Sequence, residues 1–371
     1  MKKKLLITTQ DLNMGGVEIS LINLLNSIDY DKWEVDLVTL NDGILKQELN
    51  KNVNFVNLNK NTNGLFQRVL KSILTFSLIK KYKTKKIYDV AIAYYGLNNY
   101  SDMYVAASNS KAKIIWVHND FKASLESSKY PFLIKVRNLL MKRKFKYFDK
   151  IINVSNSCKN SFESIFTGFE EKSYVIYNLI DEKRILKNSE AKTKFKMKEN
   201  IFNICAMGRL VKSKQIDKII KIVEKLKTKN YKVKLYVIGD GPERESLEYY
   251  VKQNKLDKEV IFTGLQENPY SILKQANLFI SLSKHESLGL VLLEALILNV
   301  PVISLNNSGA LDVCENIAPK DKIILVKNDN ETILENILNN QIKFSKRKFN
   351  INEYNKNVKK DLKKYLSLNL K

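Results

Sequence analysis

Two glutamates separated by seven residues are the most informative chemical feature of this sequence. Glu286 and Glu294 lie in HESLGLVLLEALILNVPVIS, His285 to Ser304, directly after an apolar run of strand length from Leu278 to Leu282. Glu286 falls in a loop, whereas Glu294 falls inside a helix that is otherwise apolar on every side. A carboxylate placed there costs on the order of several kcal/mol in desolvation unless hydrogen bonds or an opposite charge compensate it. Sugar or ribose hydroxyls would supply those bonds. A lysine from elsewhere in the chain would do so equally well, and the residues alone leave both readings open. The backbone N–H groups of Ser287, Leu288, Gly289 and Leu290 open the helix, and the positive end of its dipole suits an anion such as a diphosphate.

Three further positions carry chemistry by type and place. Arg209 and Lys214 follow the strand-like run Ile201 to Met207; in a chain with 63 lysines and arginines only that position singles them out. Gly15 and Gly16 follow the first strand-like run and open a helix, where a glycine pair lets backbone pass close to a ligand. His118 ends another strand-like run, at Trp116-Val117-His118-Asn119. Asp29-Tyr30-Asp31 has the spacing of a metal-binding pair, but it reads as a surface turn and implies no metal.

The elements that must position these residues alternate in type. Strand-length apolar runs occur at Lys4 to Thr9, Val35 to Leu40, Val53 to Leu58, Asp89 to Tyr94, Lys113 to Val117 and Lys150 to Val154, with helical stretches such as Val17 to Ser27 and Ser72 to Lys83 between them. After a polar, Lys-rich lapse around Tyr177 to Phe195, a second series runs through Ile201 to Met207, Lys232 to Ile238, Val260 to Thr263, Leu278 to Leu282, Val300 to Ser304 and Lys322 to Val326. Such alternation predicts parallel sheets covered on both faces. The expected organisation is a first Rossmann-like domain over 1–185, a second over 186–345, and a C-terminal helix over 346–371 packing back on the first.

Composition narrows the setting. The chain has 371 residues, 44% of them hydrophobic, enough for two ordinary cores. Cys158, Cys205 and Cys314 show no metal or redox spacing, which suits a reducing compartment. No secretory signal opens the sequence, and the longest apolar run, Leu288 to Leu298, is too short to span a bilayer. The formal charge of +24 attracts nucleic acid, anionic lipid or phosphorylated substrates. No nucleic-acid signature accompanies it. Arg68 to Lys86 holds seven basic and no acidic residues, and Lys129 to Lys150 holds eight basic residues against Asp149. The second run interleaves Phe132, Leu133, Val136, Leu139, Leu140, Phe145 and Phe148 at roughly helical spacing. It reads either as a membrane-surface helix or as the solvated face of a packed one.

The ordered set of motifs resembles the large group 1 family of retaining GT-B glycosyltransferases, over about residues 5 to 320. The Glu286–Glu294 pair matches the family's donor-binding motif, and Pro301-Val302-Ile303 matches the strand that follows it. Met207-Gly208-Arg209-Leu210 with Lys214 matches the strand, glycine, arginine and lysine unit; Met14-Gly15-Gly16-Val17-Glu18 matches the glycine pair near the donor phosphates; His118 matches a histidine at the cleft. Val154-Ser155, Tyr177-Asn178 with Asp181, and Gly239-Asp240-Gly241-Pro242 match landmarks of the fold. The resemblance implies the GT-B fold, two doubly wound α/β domains facing across a cleft. It also implies that Glu286 contacts the transferred sugar, that Glu294 holds the ribose, and that Arg209 and Lys214 hold the leaving diphosphate, whose growing charge fixed cations stabilise.

The expected function is transfer, with retention, of a hexose or N-acetylhexosamine from a nucleotide diphosphate sugar of UDP type to a saccharide acceptor, lipid-linked, in assembly of a bacterial surface polysaccharide. His118 and Glu286 are the expected catalytic residues; the donor is expected at Gly15, Gly16, Arg209, Lys214, Ser287, Leu288, Gly289, Leu290 and Glu294. No cofactor, metal or nucleic acid is expected; the setting is cytoplasmic, on the inner face of an anionic membrane. Two alternatives share the fold: a nucleotide-sugar epimerase, which would convert donor without acceptor, and a catalytically silent partner subunit, against which the retained Glu286, Glu294, Arg209 and Lys214 argue. The chain departs from the family pattern at Glu286-Ser287-Leu288-Gly289, where Glu-Gly-Phe-Gly is common. It departs again at Gln215, where glycine is usual after the lysine, and at Asn299-Val300, where a small residue and glycine usually precede the proline.

Overall fold

The computed structural model describes residues 1–58, 85–96, 99–126, 131–319, 321–327, 331–339, 343–345 and 348–368. The helix expected over Ser72 to Lys83, and nearly all of the basic run from Arg68, lie outside them. The chain forms two compact units, Met1–Ile180 together with Asn352–Lys371, and Asp181–Ile351.

The first unit runs β1 (Lys3–Thr9), α1 (Gly16–Ser27), β2 (Trp33–Thr39), β3 (Val53–Asn57), β4 (Tyr88–Ala93), α2 (Asn99–Ala107), β5 (Ser110–Val117), α3 (Phe121–Glu126), α4 (Pro131–Phe145), β6 (Lys150–Asn153), α5 (Asn156–Ile165) and β7 (Ser173–Val175). Its sheet has the order β3-β2-β1-β4-β5-β6-β7, and all pairings are parallel. Leu5, Leu6 and Ile7 are all fully buried, which is why the strand reads as a continuous apolar run rather than an alternating one. The sequence reading omits β7. Its three residues are too few for a periodic signal, and pairing with β6 is what makes them a strand.

The second unit runs α6 (Glu182–Ser189), β8 (Phe202–Met207), α7 (Ile216–Thr228), β9 (Val233–Ile238), α8 (Arg244–Gln253), β10 (Val260–Gly264), α9 (Tyr270–Leu273), β11 (Leu278–Ser281), α10 (Leu290–Ile297), β12 (Val302–Leu305), α11 (Ser308–Asn316), β13 (Ile323–Val326) and α12 (Glu331–Leu338). The strand order is β10-β9-β8-β11-β12-β13, again parallel. Both units are therefore doubly wound α/β sheets. Chain direction across each sheet reverses at one place, between β1 and β4 in the first and between β8 and β11 in the second. The carboxyl ends of strands at such a reversal leave a crevice where ligands of this architecture bind.

The last helix, α13 (Ile351–Leu366), belongs with the first unit from Asn352 onward. It buries Tyr354, Val358, Leu362 and Leu366, one stripe at helical spacing. Tyr354 Oη donates to the Asn178 carbonyl at 2.7 Å, and Asn355 makes a reciprocal pair with the backbone of Ile180 at 2.8 and 3.1 Å.

The basic, aromatic stretch from Lys129 to Lys150 is divided by the structure. Phe145 and Phe148 are core residues; Phe145 meets Phe162 and Phe166 at ring distances of 5.0 and 4.9 Å. Phe132, Leu133, Val136 and Leu139 are 75%, 60%, 40% and 68% exposed. Lys144 is buried and bonds Asp102 at 2.5 Å and the Gly96 carbonyl at 3.2 Å, so it is not part of any solvent-facing basic patch. Among the described residues of the stretch, Lys135, Arg143 and Lys146 are the exposed cations. Among the described residues no helix is long and apolar enough to cross a membrane.

Candidate active site

In the second unit the expected donor residues gather at the reversal point. Arg209 and Lys214 lie just beyond the end of β8, Glu286 just beyond the end of the adjacent β11, and Lys214 Nζ lies 2.5 Å from Glu286 Oε1. The two residues given separate partners by the motif reading are thus partners of each other. Arg209 is exposed, and its side chain takes no hydrogen bond or ion pair among the described residues.

The loops carrying these groups are stitched together. Lys284 N–H donates to the Ser213 carbonyl at 2.8 Å, and Gln215 Nε2 donates to the Leu282 carbonyl at 2.5 Å. Asn307, the N-cap of α11, donates from Nδ2 to the Ser283 carbonyl at 2.8 Å. Gly309 packs so closely under the loop that a Cβ there would lie 2.3 Å from the Glu286 carbonyl oxygen. Sequence reasoning missed Asn307 and Gly309. Their signal is the polar Asn306-Asn307-Ser308-Gly309 cluster after the β12 run, which marks a turn and helix start.

The family departures have local explanations. Gln215 adopts φ 51 and ψ 40, the left-handed region where glycine is usual. Its amide bond to Leu282 offsets the backbone cost. Asn299, at φ 60, likewise accepts a hydrogen bond from buried Lys322. The Glu286–Leu290 segment keeps the one glycine its backbone needs: Gly289 is the N-cap of α10 at φ 69, and Ser287 and Leu288 precede it. The helix begins at Leu290, and no side chain caps its first N–H groups.

Glu294 is 8% exposed, within α10. Its partner is not a lysine: Tyr270 Oη donates to Oε1 at 3.1 Å. Burial raises the carboxyl to about 7, opposed by the Tyr270 hydrogen bond and by the charge of Arg184.

In the first unit Gly15, Gly16 and His118 lie at the carboxyl ends of β1 and β5. Gly15 is the N-cap of α1 in an ordinary extended conformation. A Cβ there would lie 2.4 Å from Glu18 Oε2, so any larger residue would have to displace the Glu18 carboxyl. Glu18, the last residue of the Met14–Glu18 motif, is raised to about 7 by burial, with Asp11 adding to the effect. The His118 ring packs against Tyr94 at 4.8 Å and Trp116 at 6.3 Å. Burial lowers it to about 3, opposed by a hydrogen bond to the Tyr94 backbone, so the imidazole is neutral at physiological pH. Tyr94 in turn meets Ser20 Oγ at 3.1 Å, joining β4 to α1 across the reversal. Asp29-Tyr30-Asp31 is a turn, with Asp29 paired to Lys32 and Tyr30 buried. Among the described residues no three His, Cys, Asp or Glu side chains gather as a metal-binding set.

Comparison with known proteins agrees with this geometry. The family model described as "Glycosyl transferases group 1" matches residues 187–358, and that described as "Glycosyltransferase Family 4" matches 14–184. Both halves of the chain thus match glycosyltransferase models, the second half that of the group 1 glycosyltransferases. An uncharacterized glycosyltransferase of Methanocaldococcus jannaschii is 30% identical over 58% of this chain and 54% of its own length. The chain spans about half the length of the curated relatives that head the comparison. A second relative is the N-acetylgalactosamine-N,N'-diacetylbacillosaminyl-diphospho-undecaprenol 4-alpha-N-acetylgalactosaminyltransferase of Campylobacter jejuni. It is 26% identical over 89% of this chain and 87% of that protein. Among solved structures, HepE of Anabaena in complex with UDP and glucose superposes with a TM-score of 0.69 at 17% identity, covering 97% and 99% of the two chains. At that identity the likeness establishes the GT-B fold.

Proposed function

We propose that this protein transfers a hexose or N-acetylhexosamine from a UDP-sugar, with retention, to a lipid-linked saccharide in the assembly of a bacterial surface polysaccharide. The observation that carries the reading is the Lys214–Glu286 pair at the reversal of the second sheet, beside exposed Arg209 and the N–H end of α10. In this reading the donor diphosphate takes over Lys214, adds Arg209, and frees Glu286 to accept hydroxyls of the transferred sugar. The charge that grows on the leaving diphosphate then meets two fixed cations and a helix dipole. These groups serve in place of a divalent ion, so chelator leaves turnover unchanged. The leaving phosphate accepts the proton of the acceptor hydroxyl on the same face of the sugar. In the first unit, His118, held neutral, is assigned to binding the acceptor. The diphospho-undecaprenol in the Campylobacter relative's name supports a lipid-linked acceptor. The exposed Phe132, Leu133, Val136 and Leu139 of α4, flanked by Lys135, Arg143 and Lys146, would rest on anionic lipid at the cytoplasmic face.

The test is calorimetric binding of UDP, GDP and ADP, followed by transfer assays with the matching sugars. Arg209→Ala weakens nucleotide diphosphate binding by about 1.5–3 kcal/mol, as for loss of a charge-assisted contact. Glu286→Gln abolishes transfer while free UDP still binds. Binding of no nucleotide diphosphate, or unchanged affinity in Arg209→Ala and Lys214→Ala, overturns the reading.

A further inference from the structure

Glu294 is reached by groups that no sequence motif singled out. From α9 comes Tyr270, 3% exposed, whose hydroxyl donates to Glu294 Oε1 at 3.1 Å. From α6 comes Arg184, half-buried, whose guanidinium lies 6.0 Å from the centre of the Tyr270 ring. Arg184 is itself placed by the start of that helix, since Asp181, the N-cap of α6, accepts the Arg184 N–H at 2.9 Å. Helix α6 packs on both α9 and α10, and the Tyr270–Glu294 hydrogen bond ties α9 to α10, which brings the three side chains together. Among the described residues, Tyr270 and Arg184 are the polar and charged groups that bear on the Glu294 carboxyl.

We infer that Tyr270 and Arg184 are positioning residues that set the ionisation of Glu294, and that engagement of the nucleotide ribose by Glu294 expels a proton from the protein. The inference rests on the reading of Glu294 as the ribose-binding group. In the free protein burial holds the carboxyl at about 7, so near neutrality it is partly protonated. Two vicinal ribose hydroxyls donating to it are additional hydrogen bonds to the charged form, and these favour ionisation. Binding and deprotonation are then linked: ribose-dependent affinity is full above the free-state midpoint and falls by about tenfold for each pH unit below it. Tyr270 and Arg184 both favour the carboxylate. Removing either pushes the midpoint upward and leaves the carboxyl more protonated at a given pH.

The ligand's phosphates also titrate, so the probe must separate the ribose from them. A nucleotide diphosphate that binds, UDP first, is compared from pH 5.5 to 9 with its 2′,3′-dideoxy counterpart, which carries the same phosphates and no ribose hydroxyls. The ratio of the two affinities isolates the ribose contribution. In the wild type this ratio falls on acidification through neutrality, and calorimetry in buffers of different ionisation heat registers proton release for the ribonucleotide. Tyr270→Phe and Arg184→Gln each shift the midpoint of that ratio to higher pH. Glu294→Gln abolishes the pH dependence of the ratio and the excess proton release. A merely structural role for Tyr270 and Arg184 would lower thermal stability with the midpoint in place. A pH-independent ratio in the wild type, or unmoved midpoints in both variants, overturns the inference while the nucleotide site stands. Failure of every nucleotide diphosphate to bind overturns the site reading together with it.

Discussion

The buried carboxyls give this protein an unusual acid–base signature. Glu294 and Glu18 are both raised to about 7, so the native state holds protons that the unfolded chain releases at lower pH. Where the native state binds more protons, stability falls as pH rises. Each group's penalty is absent below its unfolded value, grows through the interval up to about 7, and is fully present above. His118, lowered to about 3, acts oppositely: its penalty appears as pH falls below its unfolded value, near 6.5. The net curve mixes these effects, so the informative quantity is a difference. The melting temperature of Glu294→Gln minus that of the wild type should rise between pH 5 and 8, by an amount equivalent to at most a few kcal/mol. A difference that stays flat across that range would show that Glu294 is not titrating there. Neither glutamate's protonation was readable from sequence, because it arises from burial by residues far away in the chain. The motif spacing singles out Glu286 and Glu294, and the apolar surroundings of Glu294 foretold that it would need a partner, which is Tyr270.

Elements explain where the site residues stand. Among the described residues twelve of the thirteen strands are visible in the sequence, most as apolar runs because buried parallel strands are apolar on both faces and β3 as an alternating one, whereas β7 is defined only by its neighbour. The loops were less legible. Their shape depends on contacts such as Asn307 with Ser283, 24 residues apart, and Gly309 with Glu286. Gly309→Ala should therefore act at a distance from its own helix. The added methyl, 2.3 Å from the Glu286 carbonyl, must move the loop, and donor affinity should drop about tenfold or more with a smaller change in melting temperature. Equal affinity in variant and wild type would show that the loop adapts without consequence. Helix α4 offers a contrast within one element. Phe145→Ala, in the aromatic core, should cost about 3–5 kcal/mol of stability. Exchanging exposed Phe132 and Leu139 for serine should change stability by less than about 0.5 kcal/mol each and reduce co-sedimentation with phosphatidylglycerol vesicles. Undiminished vesicle binding would remove α4 as the lipid-facing element. Replacing Lys144 together with its neighbours would confound that experiment, since its loss strands the buried Asp102.

At the scale of the whole chain, the first unit is discontinuous: its sheet is made from residues before Ile180, and its closing helix follows the entire second unit. Burial of Tyr354, Val358, Leu362 and Leu366 contributes roughly 1.5–3 kcal/mol each, comparable in sum to the about 5–15 kcal/mol that stabilises an ordinary domain. A chain ending at Ile351 should therefore show rapid hydrogen exchange in β1 to β7, with β8 to β13 still protected. Uniform protection in both sheets would mean that α13 is dispensable. The same arrangement has a consequence during synthesis. The second unit is continuous and can complete itself as it leaves the ribosome, but the first cannot close when its own sheet has emerged. About 170 further residues must be translated before α13 appears, roughly 10–30 seconds at about 5–20 residues per second. For that interval the apolar seat of α13 is open to the cell, so a nascent chain stalled near residue 350 is the species to which a chaperone would be found bound.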